Sequence, residues 1–184
     1  MSIVKKLQAL SIEEYLAGEN NSDVRHEYVS GAIYAMVGVN TRHNLLCMNL
    51  STALQNHLQD TACFTFQSDM KVRIDDVFYY PDILVTCGEI DLSAYYQDNP
   101  KIIIEVLSES TESKDRLEKR VAYQKISALS EYVLVAQNKI SIEIYRRQQT
   151  GWEHEVYSQD DTIHFKSIDL LIPASAIYQS VIKL

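Results

Sequence analysis

The sequence lacks a long hydrophobic run. Its 184 residues contain no stretch of about 18 uncharged apolar residues, and the chain does not open on a continuous apolar segment of the signal-peptide kind. We therefore predict a cytoplasmic protein that makes no contact with a membrane.

Repeats and low-complexity segments are absent too. A composition of 46% hydrophobic and 23% charged residues predicts one domain over residues 1–184 with a substantial core.

Cysteine is scarce. Only Cys47, Cys63 and Cys87 occur, an odd number without a close pair. A disulfide framework usually needs an even number of cysteines, and a zinc site usually places two of them a few residues apart. The pattern fits neither kind of site, so we expect three reduced cysteines in the core.

Positive charge is scarce as well. The chain has 17 Lys and Arg against 25 Asp and Glu, a formal charge of −8. Affinity for nucleic acid depends largely on neutralising phosphates, so an acidic chain that binds nucleic acid must concentrate its basic residues or hold a cation. Residues 101–125 show a mild enrichment, with six basic and five acidic residues.

An acidic residue interrupts the most hydrophobic part of the chain. Residues 102–107 read Ile-Ile-Ile-Glu-Val-Leu, the pattern of a central strand covered on both faces. The carboxylate of Glu105 would be withdrawn from water there, at a high cost in free energy unless it is paired, hydrogen-bonded or bound to a metal. Glu105 therefore needs a partner.

A second acid lies in a similar setting. Asp82 follows Pro81 and stands between the apolar segments 77–80 and 83–85. If these strands are neighbours in one sheet, the carboxylates of Asp82 and Glu105 can meet and offer the oxygen ligands that Mg²⁺ prefers. The alternative is that Asp82 caps a turn after proline while Glu105 pairs with a lysine.

A helix is predicted over residues 114–126, after a polar segment rich in capping residues. Asp115, Lys119 and Tyr123 are spaced by four and share one face of this helix. The residues expected to face inward are Leu117, Val121 and Ala122. The alternative for Asp115 and Lys119 is an ordinary salt bridge between helix turns.

The rest of the chain predicts a mixed α+β protein, an α/β arrangement in which helices flank a central mixed sheet. The expected elements are a helix from a capping box at Ser11 to Gly18, a hairpin turning at Ser30-Gly31, a helix over residues 41–58, a strand over 63–74 that turns at Asp75-Asp76, strands over 131–135 and 139–147, further β segments over 152–157 and 162–165, and a short helix after Pro173. Glu27 lies on the first strand of the hairpin, and His43 lies in the first turn of the long helix.

Several of these residues resemble a known family signature. They are, in order, Pro81-Asp82, Glu105 to Ser108, Ser110-Thr111, Asp115, Lys119 and Tyr123. Their order and spacing resemble the Uma-type endonuclease family, a branch of the PD-(D/E)XK restriction-endonuclease-like superfamily. The resemblance covers about Glu27 to Arg146 and includes His43 and Glu131-Tyr132.

The resemblance implies a restriction-endonuclease-like core and a set of roles. Asp82 and Glu105 would bind Mg²⁺ or Mn²⁺, Glu27 would help to orient metal or water, and Lys119 would act on water or on developing charge. The residues in supporting positions would be Asp115, Tyr123 and His43. It also implies a homodimer that acts on DNA.

Two positions depart from the family pattern. Leu107 stands where the superfamily usually has its lysine, and the resemblance implies that Lys119 takes over that role. Similar proteins often carry an acid near Ala136-Gln137, so we expect no contribution from that position.

The leading hypothesis from the sequence is a Mg²⁺-dependent endonuclease that hydrolyses phosphodiester bonds in DNA. The alternative is a protein that has kept the nuclease fold without catalysis and binds nucleic acid or a protein partner; Leu107 favours this alternative. A third possibility, a structural oligomerising domain, requires Asp82 and Glu105 to be exposed and far apart.

Overall fold

The computed structural model describes residues 9–109 and 111–182, whose strands form two sheets and a separate hairpin. The strands are β1 (His26–Val29), β2 (Ala32–Ala35), β3 (Cys63–Gln67), β4 (Lys71–Ile74), β5 (Val77–Tyr79), β6 (Ile83–Cys87), β7 (Tyr96–Gln97), β8 (Pro100–Leu107), β9 (Glu131–Ala136), β10 (Ile142–Gln148), β11 (Gly151–Tyr157), β12 (Thr162–Phe165) and β13 (Leu170–Pro173). The helical segments are α1 (Ile12–Glu19), α2 (Thr41–Leu58), α3 (Glu112–Lys114), a π-helical turn (Asp115–Lys119), α4 (Arg120–Tyr123) and α5 (Ala174–Ile177).

The larger sheet has six strands in the order β11-β10-β9-β8-β6-β3, and β8 and β9 are its one parallel pair among the described residues. Its central strand β8 is covered on both faces, as predicted. Ile102 and Ile104 face a core formed with the leucines of α2, whereas Ile103 faces a second core that includes Tyr123 and Tyr132. The strand therefore reads as a continuous apolar run because neither face is wet.

The smaller sheet has five strands in the order β2-β1-β5-β4-β7. Helix α1 packs on it through Tyr15, whose ring stacks on Tyr28 with centroids 4.9 Å apart. The β1–β2 turn has Ser30 at φ 47° and Gly31 at φ 93°, the conformation that matches the twist of a two-residue hairpin. A Cβ at position 31 would lie 2.6 Å from the Cβ of Ala9, so glycine is also required there for space.

The chain crosses from one sheet to the other at two adjacent places. Strand β5 belongs to the smaller sheet and β6 to the larger one, and Asp82 lies in the short connection between them. The β3–β4 connection makes the same passage in the opposite direction. The backbone N–H of Ser68 donates to the carbonyl of Asp82 at 3.1 Å, which ties the two crossings together.

The predicted mixed α+β architecture is confirmed, with two differences. The segment 63–74 was expected to be one strand, but it forms β3 and β4 in different sheets, separated by Asp69 at φ 70°. Strand β4 alone makes the predicted hairpin with β5. Helix α1 passes through Gly18 and ends at Glu19.

The helical segment after β8 presents a polar face to the interior. Asp115, Lys119 and Tyr123 share the buried face, as predicted, but Leu117 and Val121 are 63% and 56% exposed, so their expected inward orientation is wrong. The π-helical turn extends over residues 115–119. Ionic and hydrogen-bonding contacts of Lys119 and Tyr123 hold the buried face to the interior, and Leu117 and Val121 lie on the opposite, exposed side.

The prediction of three reduced cysteines is also wrong. Cys63 and Cys87 are opposed in the β3–β6 register and their sulfurs are bonded, whereas Cys47 is free and buried in α2. None of the helices within residues 9–109 and 111–182 combines the length and apolar character needed to span a bilayer.

Candidate active site

A cleft of about 710 Å³ opens beside the place where the chain crosses between the sheets. Its polar lining comes from strands of both sheets, from the first turn of α2 and from the helical segment after β8. Its charged and hydrogen-bonding lining includes Glu27, His43, Asp82, Glu105, Lys114, Lys119 and Gln137. Residues 34–39 form an apolar side of the cleft that includes the half-exposed ring of Tyr34.

Asp82, directly before β6, lies beside Glu105 of the neighbouring strand β8. Strands β6 and β8 pair antiparallel with Ile83 opposite Ile104, so one further step along the register places Asp82 beside Glu105. Both side chains line the same cleft. The structure therefore brings together the two acids that the sequence singled out.

The carboxylate of Asp82 is held at both oxygens. The backbone N–H of Val106 donates to Oδ2 at 2.7 Å, and Nε2 of His43 lies 2.9 Å from Oδ1. The side chain of Asp82 is 16% exposed, so it remains open to the cleft. A carboxylate fixed in this way keeps further lone pairs for a ligand.

The carboxylate of Glu105 accepts hydrogen bonds from the helical segment after β8. Its Oε1 accepts from Nζ of Lys119 at 3.0 Å and from the hydroxyl of Tyr123 at 2.9 Å. Burial raises the pKa of Glu105 well above its ordinary value; the Lys119 ammonium opposes this, and the neighbouring carboxylates add to it. A bound cation would reverse this balance in favour of the ionised form.

Lys119 faces three carboxylates. Its Nζ lies 3.0 Å from Glu27 Oε1, 3.0 Å from Glu105 Oε1 and 3.3 Å from Asp115 Oδ1. Burial acts to lower the pKa of Lys119, but these carboxylates outweigh it and raise the pKa well above its ordinary value. Lys119 therefore stays charged and balances buried acids.

Glu27 links the two lysines of the cleft. Its Oε1 contacts Lys119, and its Oε2 accepts from Nζ of Lys114 at 2.6 Å. Burial opposes the ionisation of Glu27, but the Lys119 and Lys114 ammonium groups prevail and lower its pKa. The strand β1 glutamate is thus a buried, ionised residue of the site rather than a solvated residue of a hairpin.

Asp115 and Tyr123 lie behind these groups. Asp115 is 2% exposed, and burial raises its pKa although Lys119 acts in the other direction. Tyr123 is fully buried and reaches the site through its hydroxyl contact with Glu105. Both residues are placed to fix Lys119 and Glu105, and neither lines the cleft.

The charges of the site are unequal. We call Glu27, Asp82, Glu105, Asp115, Lys114 and Lys119 the acid–lysine cluster. Four carboxylates and two ammonium groups leave a formal excess of two negative charges when all are ionised. Hard oxygen donors with this excess fit a divalent cation such as Mg²⁺ or Mn²⁺, and Asp82 and Glu105 are the donors that face each other in the cleft.

A softer metal fits less well. Among the described residues, potential ligand atoms of His43, Cys47 and Asp82 lie within 4.8 Å of one another. However, burial raises the pKa of the Cys47 thiol far above its ordinary value, and the carboxylates of Asp82 and Glu105 raise it further. Because the thiolate is the form that binds a metal, Cys47 is a poor ligand here.

A scan against known families assigns the chain. Residues 12–170 match the Uma2 family, which is described as a putative restriction endonuclease. The chain belongs to the Uma2 family. The resemblance seen in the sequence is thereby confirmed.

Relatives of this Uma2 protein occur in Synechocystis sp. (strain PCC 6803). The uncharacterized protein slr1290 is 36% identical over 94% of this chain and 93% of its own length. The uncharacterized protein sll1609 is 33% identical over 80% of this chain and 86% of its own length. The fold is similar to the crystal structure of a putative nuclease belonging to DUF820 from Anabaena variabilis, with a TM-score of 0.78, 19% identity, and coverage of 94% of this chain and 99% of that one.

Sequence reasoning missed two residues of the Uma2 site. Gln137 was set aside because it is not an acid, yet its amide nitrogen donates to the carbonyl of Leu107 at 2.7 Å and lies 3.4 Å from Nδ1 of His43. A hydrogen bond from this amide to Nδ1 would leave the ring proton on Nε2, which faces Asp82. The signal for Gln137 was its place directly after β9, the strand parallel to β8.

Lys114 was the second omission. It opens the predicted helix, and its Nζ contacts Glu27 at the rim of the cleft. Residue spacing could have found it only with knowledge that β1 lies beside the helical segment. The side chains of the predicted set, including His43 and Glu27, otherwise all lie within the cleft or directly behind it.

Proposed function

We propose that this protein is a metal-dependent endonuclease that hydrolyses phosphodiester bonds in DNA, with Mg²⁺ or Mn²⁺ held by Asp82 and Glu105. The single observation that carries the proposal is the opposition of these two carboxylates in one cleft, within a cluster that has a formal excess of two negative charges when all its groups are ionised. Membership of the Uma2 family supports it.

The metal ion and the side chains of the cleft have different roles in this proposal. A bound Mg²⁺ or Mn²⁺ would polarise the phosphate and lower the pKa of a bound water. His43 and the Val106 N–H hold Asp82 in place, and the Lys119 ammonium favours the ionised forms of Glu27 and Glu105 against the effect of burial. In the reaction the water oxygen bonds to phosphorus, one P–O ester bond breaks, the water loses a proton to solvent and the leaving oxygen takes one up.

Lys119 does not act as a general base in this scheme. A base must release its proton near neutral pH, whereas the pKa of Lys119 is raised well above its ordinary value by three carboxylates. Its contribution is positive charge at a fixed position beside the acids.

Metal binding and cleavage test the proposal. Isothermal titration calorimetry with Mn²⁺ should show binding to the wild type, and Asp82→Asn and Glu105→Gln should weaken it by at least about tenfold, since even residues behind metal ligands have effects of this size. Asp60→Asn and Glu89→Gln are matched controls because both residues are exposed and lie outside the cleft lining.

The same variants should lose Mg²⁺- or Mn²⁺-dependent nicking of plasmid DNA, while the controls keep it. A wild type that binds neither cation would contradict the proposal. DNA binding without metal binding or cleavage would instead support the alternative, a nuclease-fold protein that binds nucleic acid.

A further inference from the structure

The two lysines of the cleft have different surroundings. Lys119 is 7% exposed at its side chain and faces three carboxylates, whereas Lys114 is 27% exposed and forms an ion pair with Glu27 alone among the described residues. An ammonium group has three N–H donors. The charge of Lys119 is therefore used within the protein, and that of Lys114 is only partly used.

Aromatic rings hold Lys114 at the rim of the cleft. Its Nζ lies 5.2 Å from the ring centroid of Tyr34 and 5.2 Å from that of Tyr79. Tyr34 is 53% exposed on strand β2, and Tyr79 is buried. The ammonium is thus steadied by cation–π contacts and by Glu27, with part of its surface left open to the cleft.

A phosphodiester entering this cleft meets mostly negative charge. Among the described residues, the lining contains four acids, two lysines and no arginine. Because Lys119 is enclosed by carboxylates, Lys114 is the lysine with a donor still available to a ligand. Lysine binds phosphate as a compact point charge, and it needs no bidentate geometry to do so.

We propose that Lys114 is the residue that contacts the substrate phosphate, through a hydrogen bond from its ammonium to a non-bridging phosphate oxygen. Glu27 and the two tyrosines position this ammonium, and Lys119 remains with the buried acids. The inference rests on the proposed function for its substrate class, a nucleic-acid phosphodiester, but it does not depend on cleavage.

The test is DNA binding in EDTA, where no cleavage occurs. Fluorescence anisotropy with a labelled DNA duplex is measured at several salt concentrations for the wild type, Lys114→Met, Lys114→Arg and Lys125→Met. Lys125 is exposed and lies outside the cleft, so it controls for loss of one positive charge.

Lys114→Met should weaken binding about tenfold, the effect of one charged hydrogen bond, and should lower the slope of log Kd against log salt by about one. Lys114→Arg should restore most of both, and Lys125→Met should change neither. Thermal unfolding of each variant shows whether the fold is kept. An unchanged salt slope in folded Lys114→Met, or no binding of DNA by the wild type at any salt concentration, would overturn the inference.

Failure of the proposed function gives a different result. Calorimetry with Mn²⁺ on Lys114→Met should show binding at least as tight as in the wild type, because the lysine is no metal ligand and its loss leaves the cluster more negative. If Lys114→Met loses DNA affinity while the wild type binds no Mn²⁺ and cuts no DNA, the role of Lys114 stands and the nuclease proposal fails. If metal binding and cleavage are present but Lys114→Met binds DNA like the wild type, the nuclease proposal stands and the role of Lys114 fails.

Discussion

The backbone N–H of Val106 donates a hydrogen bond to Oδ2 of Asp82 at 2.7 Å. Strand β8 thereby contributes twice to the candidate site, with the side chain of Glu105 and with the main chain of the next residue. Because Asp82 lies at the crossing between the sheets, this bond fixes the crossing as well as the carboxylate. The same hydrogen bond thus positions the acid pair and stabilises the junction of the two sheets.

His43 is predicted to position Asp82 for metal binding. His43→Ala should weaken Mn²⁺ binding about 10- to 100-fold, the usual effect of residues behind metal ligands, because Oδ1 of Asp82 loses its donor. His43→Gln, which can offer an amide N–H, should restore part of this affinity. Calorimetry measures both. His57→Ala is the control, since His57 lies at the far end of α2 and contacts the carbonyl of Ile168.

The position of the ring proton of His43 should also be detectable by NMR spectroscopy. With a hydrogen bond from Gln137 to Nδ1, ¹⁵N NMR of the imidazole should show that Nδ1 carries no proton. A ring protonated on Nδ1 alone would contradict the proposed Gln137–His43–Asp82 chain. An unchanged Mn²⁺ affinity in folded His43→Ala would remove His43 from the site.

Lys119→Met is predicted to destabilise the fold. The substitution would leave Glu105 and Asp115 without an ammonium partner and Glu27 with that of Lys114 alone, and removing one member of a buried ion pair typically costs about 3–5 kcal/mol. Urea unfolding at neutral pH measures the change. Lys125→Met, at an exposed position, should change the free energy of unfolding by less than about 0.5 kcal/mol. Equal stability of the two variants would show that Lys119 does not balance these acids.

Stability without metal should fall as the pH rises. The pKa of Glu105 is raised above 4.5 by burial, with Lys119 opposing and neighbouring carboxylates adding, so the folded protein holds a proton that the unfolded chain releases. The free energy of unfolding therefore decreases from about pH 4.5 upward until the folded group ionises. Burial also raises the pKa of Asp115, so Asp115 changes the stability in the same direction as Glu105. The pKa of Glu27 is lowered, and the stability that Glu27 contributes is lost only on acidification.

Divalent cations should oppose this loss. Mn²⁺ held by Asp82 and Glu105 would compete with the proton on Glu105, so the gain in Tm on adding Mn²⁺ should increase between pH 5 and pH 8. Glu105→Gln should reduce both the pH dependence and the gain. Thermal melts at several pH values, with and without Mn²⁺, make the comparison. A gain in Tm that is constant with pH, or that survives in Glu105→Gln, would exclude this linkage.

The Cys63–Cys87 disulfide predicts the thiol content of the oxidised protein. Denatured without reductant, it should react with one equivalent of a thiol reagent, at Cys47, and with three after reduction. Cys63→Ser should lower the free energy of unfolding of the oxidised protein by about 3 kcal/mol, as expected for closure of a loop of this length. Three reactive thiols before reduction would show that the pair is not formed.

The assembly state remains a prediction from the family resemblance. Light scattering at micromolar concentration should give twice the mass of the 21.1 kDa chain. A monomer mass at working concentrations would contradict the homodimer. Cleavage data would then have to be explained by one site acting on one strand at a time.

Local patterns in the sequence determined much of this protein. Helix α2 has the predicted bounds, Thr41–Leu58, and the β1–β2 hairpin turns at Ser30-Gly31, because periodicity and turn chemistry act between near neighbours. The neighbouring positions of Asp82 and Glu105 were also predictable. Each acid interrupted an apolar strand, and the cost of burying a charge required that they find partners.

The tertiary structure decided what depends on distant residues. Alternation along residues 63–74 does not say which sheet a strand joins, so the passage between sheets at Asp69 was invisible. The apolar side chains of Leu117 and Val121 predict a core position. In the structure Lys119 lies on the buried face of the helix, paired with Glu105, and Leu117 and Val121 lie on the exposed face. Gln137 and Lys114 acquire roles only because parallel β9 and hairpin strand β1 lie beside the acids. Contacts of this kind depend on which strands pair, and that is set by packing across the whole domain rather than by local spacing.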